Sequence, residues 1–241
     1  MDKRKKYFLI FDTETSGGFA SPLVYDIGYT ITDKEGRIYK EYNALVKEVW
    51  EDKYLMDNAY YSDKVPQYKK EIEKGLQVKP WENIIEDMKK DIEDYHVRAI
   101  GAYNIGFDLR AIKATSKKYN YVELVDFVNN YEIIDLWTMA TLTVMKDENY
   151  IPFCVENGFY SEARNVKTNA EVCYSFITNN PAFVEDHTAL SDAKIETFIL
   201  SKIFETGKKT RTYEHAPYRF VNNKTKKPAI VKMITEKESS L

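Results

Sequence analysis

Five side chains have the types and spacing to hold divalent cations and move a proton: Asp12, Glu14, Asp108, His187 and Asp192. Asp12 and Glu14 stand two apart where an apolar run, residues 7–11, ends. Period two in a strand puts both carboxylates on one face. They repel each other there, desolvation adds to the penalty, and a divalent cation would remove both. Asp108 and Asp192 each fall in the first turn of an expected helix. Singly, each is explained by the attraction of an acid to a helix N-terminus, and Asp12 can equally cap a turn. His187 lies five residues before Asp192, just ahead of the same helix; a single histidine is more often structural than catalytic. The joint pattern says more, because strand ends and helix starts of a three-layer α/β fold can converge on one crevice. Four carboxylates are hard ligands that suit Mg²⁺ or Mn²⁺ rather than Zn²⁺. Their four charges balance two divalent ions and leave room for a phosphate.

Positioning these groups requires a sheet. The unbroken apolar run 7–11 fits a strand buried on both faces. Residues 24–32 and 37–46 fit two more strands around a turn at 33–36, which makes a three-stranded meander. Ile84, Ile85, Met88, Ile92 and Tyr95 recur on one face of a 3.6-residue period, so a helix follows Pro80, a residue suited to its first position. Strands over 97–103 and 131–135 precede helices over about 106–118 and from 136 through 144. Further helices cover about 170–177 and 189–204, and Ala189 and Ala193 let the last one approach the sheet closely. Residues 47–79 have weak periodicity and read as short helices and loops. The expectation is a mixed five-stranded α/β sheet with helices on both faces.

Composition narrows the function classes. The chain has 241 residues, a net charge of −3, 44% hydrophobic and 30% charged residues, and two cysteines. That is an ordinary globular composition, without a disulfide framework or a Cys/His zinc cluster. The first apolar run is too short for a signal peptide or a membrane span, so a cytoplasmic setting is expected. A P-loop enzyme is excluded, since no GxxxxGK[ST] occurs. Charge is unevenly spread: residues 202–232 carry nine Lys/Arg against two Glu, with Tyr213, Tyr218 and Phe220 interleaved. Such a tail (Arg211, Arg219, Lys224, Lys226, Lys227) fits nucleic-acid contact better than the short run Lys3–Lys6, which is ordinarily a solvated end.

Three segments carry a family resemblance. Phe11-Asp12-Thr13-Glu14-Thr15, Tyr103-Asn104-Ile105-Gly106-Phe107-Asp108 and His187-Thr188-Ala189-Leu190-Ser191-Asp192 resemble, in order and spacing, the three motifs of the DEDD superfamily of 3′–5′ exonucleases. The histidine spacing is similar to its HxAxxD branch, which includes the proofreading subunit of bacterial DNA polymerase III, ribonuclease T and oligoribonuclease. Tyr25-Asp26-Ile27-Gly28 and Ile134-Asp135-Leu136 are fainter echoes. The resemblance covers about residues 7–205; residues 47–79 and the tail fall outside its pattern. It implies an RNase H-like exonuclease domain over 1–207 with a basic aromatic extension over 208–241.

The resemblance further implies two-metal hydrolysis of the phosphodiester at the 3′ end of single-stranded DNA or RNA, releasing nucleoside monophosphates. By the same resemblance, Asp12 bridges both Mg²⁺ or Mn²⁺ ions, and Glu14 and Asp192 complete the first-metal shell. Asp108 serves the second, and His187 is the general base. Thr13, Thr15, Asn104 and Phe107 are candidate substrate contacts, with core packing and turn formation as alternatives for Phe107 and Asn104. The expected partner is a nucleic acid with a free 3′ end; a polymerase or a second copy of the chain are further candidates, and no membrane is expected. The rival readings are a non-catalytic nuclease-like binding module and an unrelated metal-dependent nucleotide phosphohydrolase.

Overall fold

The computed structural model describes residues 6–18, 21–121, 128 and 130–239. A mixed sheet has the order β4-β3-β2-β1-β5-β6. Its strands are β1 (Tyr7–Ser16), β2 (Leu23–Thr32), β3 (Ile38–Val46), β4 (Gln77–Lys79), β5 (Val97–Ala102) and β6 (Glu132–Asp135). β1 pairs antiparallel with β2, and β2 with β3, which is the expected meander. β5 runs parallel to β1, and β6 to β5. The sheet therefore has six strands where five were expected. The sixth, β4, is a three-residue edge parallel to β3, too short to show an alternation in sequence.

The apolar run divides itself between two cores by its period of two. Tyr7, Leu9 and Phe11 enter one cluster, with Ile84, Ile85, Met88 and Ile92 of α4 (Trp81–Asp94) and Ile105, Ala111 and Ile112 of α5 (Ile105–Lys118). Phe8 and Ile10 enter the other, with α6 (Leu136–Leu142), α7 (Tyr150–Glu156), α8 (Ala170–Thr178) and α9 (Ala189–Glu205). Each fully buried Ile, Leu or Phe contributes roughly 1.5–3 kcal/mol, so both faces of β1 are strongly fixed. Asp12 and Glu14 continue the Phe8–Ile10 face and point toward α9. Pro80 lies just outside α4 in an extended conformation rather than within its first turn. Residues 47–79 form α1 (Lys47–Trp50), α2 (Lys53–Asp57), a 3₁₀ turn at Ser62–Lys64 and α3 (Val65–Glu73), besides β4.

The tail is part of the packed body. It forms a 3₁₀ turn (Pro217–Phe220) and α10 (Lys227–Glu238), and buries Val221, Ile230 and Ile234 in the second core. The Thr212 carbonyl accepts the Asp135 N–H at 2.6 Å. Of the basic N-terminal run, Lys3 to Lys5 lie outside the described residues, and Lys6 pairs with Glu132 at 2.7 Å. Among the described residues, no helix is long and apolar enough to cross a membrane.

Gly28 sets how closely α9 approaches the sheet. It pairs with Asp12 across β1–β2, and a Cβ there would lie 2.2 Å from the Leu190 nitrogen. Only a hydrogen fits between strand and helix, so Gly28→Ala must push α9 outward. Overpacking of this kind costs roughly 1–3 kcal/mol. Thermal melting should show Tm lowered by about 2–12 °C; an unchanged Tm would mean that the helix can slide without loss.

Candidate active site

The expected acids meet at the C-terminal half of β1. Asp12 and Glu14 face α9, and Glu14 is buried. Asp192, in the first turn of α9, is buried beside them. Glu14, His187 and Asp192 each offer a ligand atom within 4.8 Å of the others. The His187 Nδ1 lies 3.9 Å from Asp192 Oδ2 and 4.0 Å from Glu185 Oε2. Asp108 reaches the cluster from the start of α5; it accepts a 2.7 Å hydrogen bond from Thr13 Oγ1 and interacts electrostatically with Asp12 and Glu14.

Each acid has a local reason for its place. The α9 N-terminus is held from outside the helix. Asp26, opposite Glu14 on β2, accepts the Ala189 N–H at 3.0 Å, the Tyr68 hydroxyl at 2.7 Å and the Asn43 amide at 2.6 Å. Asp26 thereby supplies a cap that the Thr188 side chain does not. For α5, Asn104 adopts φ +64° and its carbonyl accepts the Phe107 N–H at 2.8 Å. The Asn104 N–H donates to Asp135 Oδ1 at 3.0 Å, while Asp135 Oδ2 caps α6 by accepting the Thr138 N–H at 3.0 Å. One buried carboxylate thus fixes two strand–helix turns. Asn104 builds the turn with its backbone and leaves an exposed side chain. Thr13 commits its hydroxyl to Asp108. Thr15 is half-buried at the bulge in β1. Phe107 is half-buried, with the Arg110 guanidinium 5.6 Å from its ring centroid.

Sequence reasoning missed two acids. Glu196 follows Asp192 by four residues, hence on the same helix face; it is buried and accepts the Tyr103 N–H at 3.0 Å. That spacing, within an otherwise apolar inward face, was the available signal. Glu185 is largely buried two residues before His187, in a loop whose sequence has no periodicity to announce it.

Crowding makes the charges costly. Burial first, then Asp192, Asp26 and Asp108, pushes Glu14 up to about 10. Burial likewise raises Asp108 and Asp192 to about 7 and Glu185 to about 8. Asp12 is held well above its ordinary value by burial and by Asp108, Glu196, Glu14 and Asp192. Among the described residues, no lysine or arginine forms an ion pair with Asp12, Glu14, Asp108 or Asp192, and the buried Asp192 Oδ1 has no hydrogen-bond partner. Carboxylate oxygens left with unspent acceptor capacity and no lysine or arginine paired to them are a donor set that fits hard divalent ions. His187 is held below its usual value by burial, against Glu171, and is neutral at pH 7.

The comparisons with known proteins bear on this arrangement through the fold. Neither a family model nor a curated protein sequence matches the chain. Among solved structures, it is similar to the zinc-bound form of an Escherichia coli exonuclease I–ssDNA complex, with 14% identity and a TM-score of 0.52 over 96% of this chain and 43% of that one. A moderately thermophilic exonuclease I from Methylocaldum szegediense is similar at 15% identity and a TM-score of 0.54, over 89% and 42%. The fold is RNase H-like. The chain spans less than half the length of these solved chains. At such identity the likeness shows the fold alone.

Proposed function

We propose that this protein is a metal-dependent 3′–5′ exonuclease of the DEDD type, HxAxxD branch, acting on single-stranded DNA or RNA. The observation that carries the reading is the meeting of Glu14 with the distant pair His187 and Asp192, within 4.8 Å, at a strand end that also bears Asp12 and interacts electrostatically with Asp108. Asp12, Glu14, Asp108 and Asp192 are the residues that would hold two Mg²⁺ or Mn²⁺ ions. When bound, such ions polarise a phosphodiester and acidify a water. His187, neutral and only partly buried, accepts the proton of the attacking water at an imidazole nitrogen. Asp26 and Asp135 act at a distance, by fixing the helices on which Asp192 and Asp108 ride. The single-strand preference is supported by the E. coli neighbour, described as a complex with ssDNA.

Thr15, which follows Glu14 in β1, and Asn104 and Phe107, which precede Asp108 at the start of α5, are the proposed contacts to the terminal nucleotide. The tail adds to this edge: the Tyr213 hydroxyl lies 3.9 Å from where a Gly106 Cβ would stand, with the ring more than half exposed. An exposed aromatic beside the start of α5 is suited to base stacking. Because the tail also fills the second core, its contribution to binding is best read by point substitution, not by truncation.

The deciding experiment is digestion of a 5′-labelled oligonucleotide with Mg²⁺, Mn²⁺ or chelator. A ladder shortening from the 3′ end with either metal, and an intact band in chelator, is the expected result. An intact band under every condition would favour a nuclease-like binding module. Cleavage of mononucleotide esters as fast as oligonucleotides would favour a phosphohydrolase.

A further inference from the structure

The segment outside the family pattern, 47–79, meets the loop that carries His187 through its middle, residues 61–67. The Tyr61 ring lies flat on the His187 imidazole, with centroids 4.4 Å apart and planes inclined by 13°. Two neighbours hold the adjacent residue: Gln67 Nε2 donates to Asp186 Oδ2 at 3.0 Å, and Lys64 Nζ is 3.7 Å from Asp186 Oδ1. The segment is itself tied to the metal-site strand. Ser16, two residues beyond Glu14, bridges to Ala59, and its hydroxyl donates to the Leu55 carbonyl. His187 needs such support. It precedes α9 in an irregular stretch and adopts φ +50°, a conformation that costs a non-glycine residue energy and persists only where neighbours enforce it.

We propose that Tyr61 is a positioning residue whose ring clamps the His187 imidazole at the orientation the reaction uses. This rests on the exonuclease reading for its kinetic consequence, but the clamp itself can be observed without activity. The ring acts through its face, so the hydroxyl is dispensable. Tyr61→Phe keeps the stack, whereas Tyr61→Leu keeps an apolar side chain of moderate size and removes it. A general base whose geometry loosens loses turnover, not substrate affinity.

With saturating oligonucleotide and Mg²⁺, Tyr61→Leu should lower kcat by about ten- to a hundredfold with KM within about twofold, and Tyr61→Phe should restore kcat to near wild type. A Leu variant with near-wild-type kcat, or a Phe variant as impaired as Leu, would overturn the proposal. A rise in KM with kcat unchanged would also overturn it and make Tyr61 a substrate contact. The second arm reads the clamp by NMR, with His187 signals assigned through His187→Ala. Ring-current displacement of the His187 ring protons should be present in wild type and Tyr61→Phe and lost in Tyr61→Leu. Its absence from wild type would sink the clamp whatever the enzyme cleaves; its presence in a protein without nuclease activity would instead sink the exonuclease reading.

Discussion

Asp12→Asn is expected to cripple metal-dependent cleavage and, at the same time, to stabilise the protein in chelator. The two effects have one cause. Asp12 is pressed between Asp108, Glu196, Glu14 and Asp192, and burial and repulsion raise its carboxyl well above the usual range. An acid whose folded pKa exceeds its unfolded value favours folding below the unfolded value and loses that contribution as pH rises through the folded one. Asp108 and Asp192, raised to about 7, Glu185, to about 8, and Glu14, to about 10, spread the loss from about pH 4 to about pH 10, with much of it below pH 8. In chelator, therefore, Tm of the wild type should fall as pH rises from about 5 to 8, and Asp12→Asn should fall less steeply and melt higher by on the order of 5 °C near neutrality. Mg²⁺ or Mn²⁺ should raise Tm of the wild type far more than that of the variant. Turnover should drop on the order of 10³-fold, since the neutral amide is a poor ligand for hard cations. Wild-type turnover in Asp12→Asn would remove Asp12 from the site.

The same residues show how much of this arrangement could be seen in advance. The meander and α4, α5, α8 and α9 were legible because each carries an apolar period over enough residues, and the Asp12/Glu14 pair followed from that period alone. β4 escaped because three residues show no period. α10 escaped because its stretch reads as a charge run, although Ile230 and Ile234, four apart, bury one face. Asp26 was visible as an echo, but its role as the external cap of α9 is a contact between residues 163 positions apart, which no local pattern encodes. Glu196 hid for another reason: a charge on an inward helix face departs from the amphipathic rule, and only the strand end beside it makes that placement intelligible. Tyr61 is the extreme case, an aromatic in an irregular segment whose partner, His187, is distant in sequence.

His187→Ala should lose about 10²- to 10⁴-fold in kcat, the range for removing a positioned general base, while uptake of Mg²⁺ or Mn²⁺, read by calorimetry, persists. The second clause matters because the geometry permits another role: His187 lies with Glu14 and Asp192 within a span one ion can fill. Mg²⁺ strongly prefers oxygen, so an imidazole is a weak addition to four carboxylates. Burial holds His187 neutral, which leaves a ring nitrogen able to accept a proton. If His187→Ala loses metal uptake together with turnover, the residue is a ligand and the proton acceptor must be sought among the neighbouring acids, with Glu185, 4.0 Å from the imidazole, the first to replace. If turnover survives the substitution, neither role stands, and the stack with Tyr61 is a structural contact.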